Sequence, residues 1–295
     1  MPAPELRSRF AERFPFLPAR YRVEHPLVPV VRLSGVIGSG IPLRPGLSMA
    51  TCASALERAF GYKRARAVAI VVNSPGGSPV QSHLIFSRIR ALADEKKLPV
   101  LVFVEDAAAS GGYMIACAGD EIFADPSSLV GSIGVVSAGF GLDRLIERFG
   151  IERRVHTAGR HKAMLDPFRP EQAEDVERLK AIQARVHDTF VGLVKSRRGS
   201  WLQDAPETLF SGAVWVGDEA VELGLVDGIG DLRSVLRERF GGKVDLRQVP
   251  VGRQSWLARW FRRNGAASVH SPALVDPTRV IGALNEESAW RRLGL

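Results

Sequence analysis

Short apolar runs alternate with amphipathic stretches along most of this chain. Residues 28–37 read as a strand, 35–45 as a Gly/Pro-rich loop and 48–60 as a helix. A β-branched run at 67–72 has the length of a buried strand and ends in the tight loop Asn73-Ser74-Pro75-Gly76-Gly77-Ser78. Residues 81–92 put Leu84, Ile85, Ile89 and Leu92 on one helical face. Residues 99–104 are the next apolar run, and 113–118 read as a buried helix. Further strands are expected at 121–124, 133–136, 151–157 and 225–227, with helices over 142–149, 171–197, 215–223 and 231–240. Strands that alternate with helices predict an α/β fold with parallel pairing. Residues 1–27 read as an arm with a short amphipathic helix at 5–14, 28–240 as the core domain, and 241–295 as a basic segment and tail.

Composition adds a soluble, globular character: 295 residues, 45% hydrophobic and 24% charged, with a net charge of +8. Part of that charge sits in pairs such as Arg153-Arg154, Arg197-Arg198 and Arg262-Arg263. They read as solvated surface, with an acidic membrane face as the next partner. No zinc-ligand spacing, aromatic RNA motif or long basic run points to nucleic acid. Cys52 and Cys117 lie in apolar contexts and read as buried free thiols of a reducing compartment. The N-terminus has no apolar signal core, and no run of about 18 apolar residues occurs. These features predict a cytoplasmic protein that needs no metal or cofactor.

The candidate chemistry centres on Asp-Ala-Ala-Ala-Ser-Gly-Gly at 106–112. Ser110 falls where a strand hands over to a helix. A hydroxyl there faces a substrate, and the amides after it meet developing negative charge. Serine needs a base. None of the six histidines lies in a familiar triad motif, though spatial proximity leaves a histidine open. Lys162, in Gly159-Arg160-His161-Lys162, is the other option. A neutral lysine near pH 7 requires a shift of about three units, roughly 4 kcal/mol of desolvation. Gly77 and Gly111 mark two strand–glycine–helix junctions that together could form an oxyanion hole.

Four blocks resemble the Ser/Lys signal peptide peptidase family of the SppA and SohB type. They are Val-Val-Asn-Ser-Pro-Gly-Gly-Ser at 71–78, residues 107–113 around Ser110, Gly-Ser-Ile-Gly-Val at 131–135, and 159–162 with Lys162, 52 residues after Ser110. A weaker block spans 215–227, and the match covers roughly 28–240. The resemblance implies a ClpP/crotonase-like superhelix of stacked strand–strand–helix units. It implies Ser110 as nucleophile, Lys162 as general base, Ser132 orienting the lysine amine, and the amides of Gly77 and Gly111 as the oxyanion hole. It further implies a homo-oligomeric ring or bowl, in which half-length chains share a site between protomers. Substrates would be signal peptide remnants or other short, unfolded apolar peptides, cleaved through an acyl-enzyme.

Many members carry an N-terminal anchor that this sequence does not show. Trp256, Leu257, Trp260 and Phe261 beside Arg259, Arg262 and Arg263 form an interfacial pattern instead, equally readable as an edge helix against a neighbouring subunit. Two other functions fit the fold: a crotonase-type acyl-CoA enzyme, which would need a carboxylate near the second glycine junction, and a non-catalytic assembly protein.

Overall fold

The β-branched and apolar segments pair as parallel strands in a computed structural model, which describes residues 25–38, 46–203, 206–252 and 287–294. The expected helix at 5–14 and the interfacial pattern at 256–263 lie outside the described residues. Strands are β1 (Leu27–Ser34), β2 (Val68–Ser74), β3 (Val100–Ala109), β4 (Glu121–Ala124), β5 (Leu129–Gly131), β6 (Val214–Val216), β7 (Gly228–Ile229) and β8 (Asp245–Gln248). The sheet order is β6-β5-β3-β2-β1-β8, with β4 joining β3 to β7. All pairings are parallel except β5 with β6. The sheet continues past residue 240, because β8 pairs with β1.

Both faces of the central strands are covered, which is why they read as continuous apolar runs rather than alternating ones. On one face α1 (Met49–Phe60), α2 (Pro79–Lys96) and α3 (Gly111–Ala116) bury Leu56, Ile85, Ile89 and Ile115 against Val31, Ile70 and Val102. On the other, Leu236 of α8 (Leu232–Phe240) closes over Val30, Ala69, Val71 and Leu101. Further helices are α4 (Asp143–Arg148), α5 (Ala173–Arg198), α6 (Pro206–Leu209) and α7 (Gly217–Glu222).

Local chemistry sets the ends of these elements. Ser48 and Thr51 form a reciprocal capping box on α1. Ser78 caps α2, with Pro79 in the first turn. The buried face of α2 runs through Ser82, Ile85, Ile89, Leu92 and Ala93, so Leu84 points away and is 43% exposed. The C-terminus of α5 is pinned by Arg198, which is buried and donates to both Asp227 carboxylate oxygens at 2.9 and 2.8 Å and to the Gly224 carbonyl.

Several sequence expectations shift. Residues 133–136 do not form a strand. β5 ends at Gly131, where successive positive φ values at Gly131 (103°) and Ser132 (51°) turn the chain out of the sheet. Residues 151–157 have no ladder partner. Residues 225–227 are a clamp rather than a strand: the Leu225 carbonyl accepts from the Tyr113 hydroxyl, and Asp227 holds Arg198. Residues 214–216 add an antiparallel strand before α7.

Candidate active site

β3 delivers Ser110 to the start of α3 with φ 52° and ψ −120°. Among the described residues only Lys97, Ser110, Ser132 and Leu165 are non-glycine positions with positive φ. Two of these four are candidate site residues. Such backbone costs about 1–3 kcal/mol and persists only where the surroundings enforce it. Here the Ser110 amide donates to the Gly131 carbonyl at 2.7 Å, and the Ser110 carbonyl accepts from the Met114 amide at 3.0 Å. The turn leaves Ser110 half-buried, between an entirely buried strand end and a buried helix.

The loop after β2 lies directly against this turn. Gly76 has φ 105°, and a Cβ there would fall 2.8 Å from the Ser110 Cβ and 3.1 Å from the Gly111 nitrogen. Only glycine permits that approach. Gly77 is held by Ile37, whose amide donates to the Gly76 carbonyl and whose carbonyl accepts from Ser78. The N–H groups of Gly77 and Gly111 have no acceptor among the described residues. Two amides without an acceptor among the described residues thus belong to two loops that touch where Gly76 meets Ser110, an arrangement suited to an oxyanion. Behind them, buried Ser74 donates to the Gly35 carbonyl and accepts from the Gly76 amide, while buried Ser82 sits beneath Gly111.

Ser132 follows the residue that anchors Ser110. Its amide donates to the Ala213 carbonyl at 2.7 Å, and it is half-buried. His187 of α5 reaches the same turn, with Nε2 3.1 Å from the Ile133 carbonyl. An imidazole facing a carbonyl must donate, so Nε2 carries the proton. Sequence reasoning assigned His187 no role. The signal was its place three and seven residues before Phe190 and Val194, the apolar face of α5.

Lys162 is not brought into this cluster. It lies on an exposed turn after Gly159, its side chain faces solvent, and no hydrogen bond or ion pair holds its ammonium among the described residues. The surrounding segment is tied by Asp166, which accepts from the Phe168 amide and from Arg153 Nε. Those bonds, the Phe168 amide first, hold its carboxyl below the usual range. The two thiols are no alternative nucleophiles, since burial pushes Cys52 up to about 11 and Cys117 to about 12. Among the described residues, no group of three His, Cys, Asp or Glu side chains is placed to hold a metal ion.

The model of peptidase family S49 matches residues 92–242, about half of the chain, including Ser110, Ser132 and Lys162. The chain belongs to this family. Among curated relatives of this family member, a Brucella abortus (strain 2308) protein named Na(+)/H(+) antiporter NhaA is 52% identical over 288 residues, 95% of this chain but 38% of that protein. The chloroplastic serine protease SPPA of Arabidopsis thaliana is 35% identical over 178 residues, 59% of this chain and 25% of that protein. The chain thus spans well under half the length of these two relatives. No helix among the described residues is long and apolar enough to cross a membrane. Among solved structures, the 1510-N membrane-bound stomatin-specific protease, in a mutant form bound to a substrate peptide, aligns with a TM-score of 0.50 at 15% identity. The alignment covers 82% of this chain and 99% of that one. At that identity the likeness concerns the fold alone, which is ClpP/crotonase-like as the family resemblance implied.

Proposed function

We propose that the chain is a serine endopeptidase with a Ser110/Lys162 dyad, acting on short, unfolded, largely apolar peptides such as signal peptide remnants. The observation that supports this reading is a serine held in a positive-φ turn, against which the Gly76–Gly77 loop packs, with the Gly77 and Gly111 amides lacking an acceptor among the described residues. Ser110 Oγ attacks the scissile carbonyl as its proton passes to neutral Lys162. The oxyanion settles on the two amides, and protonated Lys162 gives the proton to the leaving amine. Water then repeats the cycle on the acyl-enzyme, and Ser132 orients the lysine.

The exposure of Lys162 makes assembly part of the proposal. A lysine must lose water to serve as a base near neutral pH, and in the single chain it keeps that water. The segment that bears it is equally uncovered: α4 has no buried residue, and Phe140 and Phe149 are 84% and 73% exposed. Docking of this segment onto a second copy would bury those side chains and bring Lys162 to a neighbour's Ser110 in a ring or bowl. The assembly works in the cytoplasm, its positive surface meeting the inner face of the membrane.

The test is cleavage of a fluorogenic apolar peptide by the wild type, Ser110→Ala and Lys162→Ala. Both variants should lose about 10³-fold or more in rate while keeping wild-type circular dichroism. Undiminished cleavage by either one refutes the dyad. The acyl-CoA reading gains nothing from the site, because Ser110 stands where it needs a carboxylate.

A further inference from the structure

β2 and β3 pair in register from Val68↔Val100 to Val72↔Val104, then resume at Ser74↔Ala108. Across that gap β2 advances from residue 72 to 74 while β3 advances from 104 to 108, so β3 bulges. A bulge bends its strand and re-aims the residues beyond it. On its other edge β3 changes partner at the same place. Leu101, Val102 and Phe103 pair with β4, whereas Ala107, Ala108 and Ala109 pair with β5. Ser110 is the next residue, so the bulge sets the direction from which the serine arrives.

The bulge frees backbone groups from the β2 ladder, and side chains take them up. Asn73 Oδ1 accepts from the Ala107 amide at 3.3 Å, and Asn73 Nδ2 donates to Asp106 Oδ2 at 2.5 Å. The Asn73 carbonyl meanwhile accepts from Gly35. From the other side, buried Ser128 donates to the Glu105 carbonyl at 2.5 Å and accepts from the Asp125 amide. One amide side chain thus spans the gap between β2 and β3, and the Asp106 carboxylate fixes which way it points. Asn73 is half-buried and Asp106 exposed, so the core gains little from the pair.

We propose that Asn73, oriented by Asp106, is a positioning residue that clamps the β3 bulge and thereby aims Ser110 at the Gly77 and Gly111 amides. The proposal rests on the peptidase reading for its functional consequence, and on the bulge geometry alone for the clamp. A nucleophile displaced by about 1 Å loses as much as a hundredfold in rate. Asn73→Ala removes both bonds. Asn73→Asp keeps an acceptor for the Ala107 amide but sets two carboxylates face to face. Asn73→Asp combined with Asp106→Asn restores an amide–carboxylate pair with its roles exchanged and the same net charge.

The experiment reads two quantities in the full chain for the wild type, Asn73→Ala, Asn73→Asp and the exchanged pair. One is the rate at which a fluorophosphonate probe labels Ser110, with kcat and KM on a fluorogenic peptide beside it. The other is hydrogen exchange at the Ala107 amide. Asn73→Ala and Asn73→Asp should label about ten- to a hundredfold more slowly and lose as much in kcat, with KM unchanged. Both should lose protection at Ala107, and the exchanged pair should recover labelling and protection together. Wild-type labelling in Asn73→Ala, or an exchanged pair as slow as Asn73→Asp, overturns the clamp. A wild type that the probe does not label, but whose Ala107 protection shows this pattern, supports the clamp and sinks the peptidase reading instead.

Discussion

Ser110 occupies backbone that glycine would adopt at lower cost, and it is held there by bonds to Gly131 and Met114. Strain at this candidate nucleophile would trade stability for exposure of the hydroxyl. Comparing Ser110→Gly with Ser110→Ala isolates that trade, because both lack the hydroxyl and only glycine relaxes the turn. Relief of strain less the added chain entropy leaves Ser110→Gly about 1 kcal/mol more stable than Ser110→Ala, measured by urea denaturation. Ser110→Gly less stable than Ser110→Ala would show that the turn is unstrained, since only the chain entropy of glycine would then remain. Gly77 presents the opposite case. An added Cβ would lie 2.1 Å from the Ile37 carbonyl oxygen, a backbone atom, at φ 139°. Gly77→Ala should cost about 3 kcal/mol in the same assay, and peptide cleavage should fall with it. Ser110, Gly77 and Gly111 were legible as candidates because strand–glycine–helix junctions have a compositional signature. Their mutual contact was not, since it depends on Gly76 abutting the distant turn at Ser110.

Helices with strong caps were readable close to their true ends. α8 starts where Asp231 accepts from the amides of Arg233 and Ser234 at 2.7 and 3.1 Å. Hydrogen bonding from Ser234, and from the Arg233 amide, holds the Asp231 carboxyl below its usual range. Its folded pKa is therefore lower than its unfolded one. The stabilisation is present above the unfolded value of about 3.9 and is lost as pH falls through the folded value. Asp231→Ala should be about 1 kcal/mol less stable than the wild type at pH 7, with the gap narrowing below about pH 4. A gap that persists unchanged into acid would mean that the carboxylate's charge does not matter to the cap. Strands were harder to read than helices. The 133–136 run has strand composition, yet Gly131 and Ser132 turn the chain out before it. β8, Asp-Leu-Arg-Gln, lacks an apolar run altogether, because an edge strand covered on one side needs none.

At the scale of the whole molecule, exposed surface around the Lys162 segment bears on assembly. The first half of α5, all of α4 and the turn with Lys162 project without burying a side chain in the single chain. If neighbouring protomers complete each site, two dead variants should rescue each other. Ser110→Ala carries a good lysine and Lys162→Ala a good serine. Mixed in equal amounts and reassembled, they should recover about a quarter of wild-type cleavage, the fraction of random neighbour pairs that hold both groups. A mixture as inactive as its parts would place serine and lysine in one chain. Dilution gives the companion measurement, since wild-type activity per subunit should fall as the assembly dissociates.

Taken by itself, the sequence determined the α/β class, the helices with strong caps and the junctions where a nucleophile and its amides could stand. Each depends on hydrophobic period and on residues a few positions apart. The tertiary structure alone decided that the two glycine loops touch, that β3 bulges and changes partner just before Ser110, and that Lys162 stays in water within one chain. Contacts between distant segments, and the solvent that a lysine keeps or loses, arise from packing, which no local pattern encodes.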